Sequence, residues 1–125
     1  MQEKSKIRTF ASGANRNSDK GKLDYEGFLS PLVLKRYAEY LHGHRALEDG
    51  TTRDSDNWQR GMPLDVYMKS LWRHLMTAWA IHRRPWGEDD SDTETALCGV
   101  IFNASGYLHE LLKNKKHVPK PSVPH

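Results

Sequence analysis

The segment PLDVYMKSLWRHLMTAWAIHRR, residues 63–84, decides the fold class. Proline suits a helix start, where its missing N–H costs nothing. Leu64, Tyr67, Met68, Leu71, Leu75 and Ala78 then recur at the three- and four-residue spacing of one helical face. The helix is expected to end before Pro85, because the residue preceding a proline avoids helical backbone. Inside this apolar stretch stands Arg73-His74. At about 100° per residue, His74 lies about 60° from Leu71 and faces inward, whereas Arg73 lies about 200° away. The two neighbours therefore serve different surfaces. His74 reads either as a buried histidine satisfied by a carbonyl or carboxylate, or as the floor of a pocket. Arg73 reads as a solvated residue or as a contact to another subunit.

Two further helices follow from the same reasoning. Ser30-Pro31 starts the first, with serine as N-cap, and Leu34, Tyr37, Ala38 and Leu41 form its apolar stripe. Gly43 weakens its end, which is expected by Ala46 or Leu47. The last helix is expected from Ser91 to about Lys113. Ser91 and Glu94 have capping-box spacing, and Leu97, Val100, Ile101, Ala104, Leu108 and Leu111 make the stripe. Gly99 and Gly106 interrupt it, each at a cost of about 1 kcal/mol relative to alanine. Close approach of another helix or of a ligand explains them. No convincing strand is visible. The expected fold is all-α: a small helical bundle of three main helices, a further short helix near 23–29, and flexible basic termini. The organisation reads as a flexible basic arm over 1–22, a helical domain over 23–113 and a disordered tail over 114–125. So thin a core is expected to be completed by homo-oligomerisation.

Composition narrows the function classes. A single cysteine, Cys98, excludes an internal disulfide and a cysteine-based zinc site. The N-terminus is polar and no apolar run reaches transmembrane length, so no membrane association is expected. Localisation in the cytoplasm is the expectation. The net charge of +3 gives no strong nucleic-acid signal.

Several residues have the chemistry of a site. Glu88, Asp89, Asp90, Asp92 and Glu94 form the one dense carboxylate group, and Mg or Mn takes such oxygen ligands. The same acids equally suit a helix N-terminus. Asn103 lies at the edge of the last helix's stripe and would bond a base, a ligand or His74. Asn57 and Trp58 sit in a polar loop, where the indole either stacks on a base or plugs the end of the bundle. In the arm GANRNSDKGKLDY (13–25), Arg16 and Lys22 stand among small residues, but the phosphate-loop pattern fails because Lys22 is followed by Leu23. The paired Glu-x-x-Glu and Glu-x-x-Asp motifs of MazG-type pyrophosphohydrolases are absent, as is an adjacent His-Asp pair.

The segments SGANRNSDKGKLDY, SPLVLKRYAEY, NWQRGMPLDVYMKSLWRHLMTAW and GEDDSDTETALCGVIFNASGYLHELL, in this order, resemble the phage dATP/dGTP diphosphohydrolase N-terminal domain family over about residues 12–112. NW-x-x-G and Arg-His followed by an acidic linker carry most of the likeness. It implies a phage protein, MazG-like in activity class, that acts on a purine deoxynucleotide or a related signalling nucleotide and releases pyrophosphate with a divalent ion. The candidates for these roles are Asp89, Asp90 and Asp92 at the metal and His74 as a catalytic base or substrate contact. Arg73, Lys69, Lys22 and Arg16 would meet phosphates, and Trp58, Asn57 and Asn103 the base. The family carries histidines in the last helix where this chain reads LCGVIFNAS, with none until His109. That departure leaves a second expectation open: a non-catalytic protein that binds a nucleotide or a host protein.

Overall fold

A computed structural model describes residues 7–84 and 90–115. The chain divides into two units, Met1–Pro31 and Leu32–His125. In the first, β1 (Ile7–Thr9) and β2 (Asn15–Asn17) pair antiparallel, with Arg8 opposite Arg16. The turn is closed by Phe10 N–H to the Ala14 carbonyl at 2.8 Å, and by Gly13 N–H to the Phe10 carbonyl at 2.9 Å. Gly13 takes φ of +91°, which glycine adopts without penalty. The fold is therefore largely helical but not purely α. The strands are three residues each, polar and without apolar alternation, so periodicity does not reveal them. The short helix expected near 23–29 is α1 (Tyr25–Phe28), where the Asp24 carboxylate accepts from Gly27 N–H at 2.9 Å.

The second unit is built on helices α2 (Pro31–Gly43, entering it at Leu32), α3 (Leu64–Arg83) and α4 (Asp90–Lys115). Their positions match the expected helices closely. α2 stops at Gly43, short of Ala46. α3 follows Pro63, carries Asp65 in its first turn and His82 and Arg83 in its last, and gives way to extended backbone at Arg84. α4 begins at Asp90, which puts Ser91 inside the helix. Glu94 spends its carboxylate on Arg36 of α2 at 2.8 Å. Between α2 and α3, Ala46 and Thr52 form an isolated antiparallel bridge, and Asn57–Arg60 make a single 3-10 turn, η1.

α3 and α4 pack as an antiparallel pair in one register. Tyr67 and His74, seven residues apart on α3, press their rings against Gly106 and Gly99, seven apart on α4. A Cβ at either glycine would overlap the facing ring. A seven-residue repeat is the spacing at which facing helices keep contact along their length. Tyr67 is buried to 1% exposure and Asn103 to 4%. The Asn103 side-chain amide donates to its own helix's Gly99 carbonyl at 2.8 Å.

The face of α4 turned to α3 corrects the sequence expectation. It consists of Ala96, Gly99, Asn103, Gly106 and Glu110, small or polar residues that are all buried. The leucine stripe read as the core face points elsewhere: Leu97, Leu108 and Leu111 are exposed. α2 meets a third face of α4. There, burial lifts the Tyr37 hydroxyl above the ordinary phenol range while Ser105 hydrogen-bonds it, and Cys98 is buried and free.

Candidate functional site

Two clefts flank α4. The polar one opens between the C-terminal half of α3 and the first turns of α4. It encloses about 410 Å³ and gathers His74, Thr77, Arg84, Asp92 and Thr95 around Ala80, Ile81 and Ala96. Its position follows from the register. One heptad beyond Tyr67–Gly106 and His74–Gly99, the same step sets Ile81 against Asp92, where α4 offers no glycine hole. The helices cannot close there as they do at the glycines, and the gap becomes a cleft.

The cleft's polar lining is one histidine, one aspartate, one arginine and two threonines, and Arg36 donates to the Thr95 hydroxyl at 3.4 Å. His74 is half-buried, its ring seated on Gly99, with Asp92 exposed at the lip. Thr77 turns its hydroxyl back to the Arg73 carbonyl at 3.1 Å. The α4 N-terminus opens here, and the unpaired N–H groups of a helix's first turn attract anions. His74 and Asp92 line the same cleft. Asp89 lies outside the described residues, as does the side chain of Asp90. Among the described residues, no group of three or more histidine, cysteine or acidic side chains is placed to hold a metal ion.

Arg73, Lys69 and Asn103 do not line this cleft. Arg73 is exposed on the far side of α3. Lys69 is exposed too and pairs with Asp65 at 3.1 Å. Asn103 is turned into the helix pair and committed to Gly99. Arg16 and Lys22 belong to the first unit and are exposed.

Asn57 and Trp58 occupy the opposite end of the α3–α4 pair. Trp58 meets His109 edge to face, ring centres 4.7 Å apart. Together with Tyr37, Leu41, Phe102, Ser105 and Gly106, these two rings line a second, mostly apolar cleft of about 340 Å³. A residue the sequence reading missed organises this end. Glu110, 8% exposed, binds Lys113 at 2.9 Å and accepts from the Met62 backbone N–H. The Lys113 ammonium, more than the Met62 amide, holds its carboxyl below the usual carboxylate range. Gly61, at φ +93°, passes so close to the Glu110 carboxylate that a Cβ would come within 3.3 Å of it. The NW-x-x-G sequence is thereby an anchor: an indole on His109 and a glycine against a buried acid. The signal available was a lone acidic residue near the end of an apolar helix, three before a lysine.

No family model matches the chain, and neither a curated protein nor a solved structure matches it.

Proposed function

We propose that the chain binds a purine nucleoside triphosphate, in deoxy form or as a related signalling nucleotide, in the His74–Asp92 cleft and releases pyrophosphate in a metal-dependent reaction. The observation that carries the reading is the convergence of His74, Arg84 and Asp92 in one open cleft at a helix N-terminus. The resemblance to phage diphosphohydrolases supplies the substrate class.

Mg²⁺ is commonly bound through one or two carboxylates plus substrate phosphate oxygens, and Asp92 fits that mode. A divalent ion there would offset the triphosphate charge. Arg84 and the first-turn N–H groups of α4 meet the phosphates. His74 takes the proton of the attacking water. The water oxygen bonds to the α-phosphorus, the α–β bridging bond breaks, and pyrophosphate leaves with the electron pair.

The test is pyrophosphate release from dATP, dGTP and a panel of other nucleotides with Mg²⁺ or Mn²⁺, by the native chain and by Asp92→Asn. No metal-dependent release from any nucleotide overturns the enzyme reading. A second reading, a non-catalytic nucleotide- or host-protein-binding protein, draws on a specific feature: Asp92 is the single carboxylate lining the cleft among the described residues. A thermal shift with nucleotide but no turnover favours it, since a ligand that binds only the folded state raises the melting temperature.

A further inference from the structure

α4 presents three faces. One face takes the rings of α3, a second meets α2, and the third holds Leu97, Leu108, Leu111 and Leu112, all exposed. A contiguous exposed apolar stripe of this kind marks an interaction surface. α3 has a matching outward stripe of Met68, Trp72, Leu75, Met76 and Trp79, with Trp72 58% and Trp79 56% exposed. At about 100° per residue, this stripe lies about 125° beyond the α3 face that meets α4, and the leucine stripe about 150° beyond the α4 face that meets α3. The offsets have the same sense and the helices run antiparallel. Both stripes therefore fall on one side of the pair, opposite α2 and Trp58.

We propose that this surface is the interface between two copies of the chain, whose α3–α4 pairs stack into a four-helix layer. The area is of the right size. The nine side chains expose on the order of 900 Å², against about 800 Å² per partner in a standard interface. The occupant follows from the poverty of the core. Among the described residues the buried apolar side chains are Tyr67, Ala78, Ala96 and Cys98, too few to hold a helix pair together alone. A cover the fold needs at all times must be present whenever the chain is, and a second copy meets that condition. Self-complementary faces related by a two-fold axis also form a closed assembly. Arg73, about 115° from the centre of the α3 stripe, stays outside this contact.

Light scattering on the full chain over a concentration series should give a dimer mass. A monomer at tens of micromolar with intact helical circular dichroism overturns the proposal, as does a monomer that acquires its cover from lipid vesicles. Single cysteines at Met76 and Leu108 in a Cys98→Ala background should link into covalent dimers with a short bismaleimide, and one at Arg73 should not. A dimer that cross-links at Arg73 but at neither stripe position uses another face and equally overturns it. Trp72→Glu with Met76→Glu should leave no dimer at concentrations where the native chain is fully dimeric.

Discussion

The two ends of the α3–α4 pair are built from one repeat and do opposite things. At the Tyr67 end the ring fills a glycine hole, Glu110 draws in the backbone at Met62, and Trp58 closes over His109. The cleft beside it is mostly apolar. At the His74 end the ring again sits on a glycine, but one heptad later the helices stand off and leave Arg84, Asp92 and two threonines around open space. The lesson is that a single packing register yields both an anchor and a site, depending on whether small residues continue it.

The largest expected effect tests the open end. Asp92→Asn should lower metal-dependent pyrophosphate release by about a hundredfold, because an amide replaces the carboxylate that would hold the divalent ion. Its side chain is exposed, so chemical denaturation should move by less than about 0.5 kcal/mol.

Gly106→Ala tests the closed end and should behave in the opposite way. The new methyl overlaps the buried Tyr67 ring, so urea denaturation should register a loss of about 1–3 kcal/mol. Gly99→Ala sharpens the comparison. It meets the half-buried His74 instead of the fully buried Tyr67, and its cost should be roughly half that of Gly106→Ala. An equal cost at both glycines would break the contrast.

Glu110 sets a pH signature on the closed end alone. Its carboxyl is depressed in the folded state, so its contribution is present above the unfolded carboxylate pKa and lost as pH falls through the lower folded value. The stability margin of the native chain over Glu110→Gln should be present at pH 7 and shrink in acid, read from urea melts at successive pH values. The smallest effect is expected at Arg36→Ala. Its pair with Glu94 is solvent-facing, and its loss should stay within the scatter of a denaturation curve.

Helix positions were legible because proline and glycine punctuate them: Pro31, Gly43 and Pro63 each fall within a residue of a boundary. The inward turn of His74 and outward turn of Arg73 were legible from the same geometry, but Met68 and Leu75, read into the α3 core stripe, are exposed, because Trp72, Met76 and Trp79 carry a second apolar stripe beside the packed one. α4 was misread because leucines outweigh glycines in any apolar tally. The face that packs is the one that lets a ring in, and an exposed leucine stripe looks identical to a core stripe until the partner helix is seen. The β-hairpin left no trace because strands of three polar residues carry no period. Glu110 was overlooked because burial of an acid depends on a backbone amide nearly fifty residues away in sequence.

Two rings seated in two holes also fix α3 the way a two-pin plug is fixed in its socket. Neither rotation nor a one-turn slide of the helix is open to it unless both pins withdraw together. His74 is one of those pins. Removing its imidazole deletes a reactive group and also frees an axle, so its loss is to be compared with that of Tyr67 before any part of it is credited to chemistry.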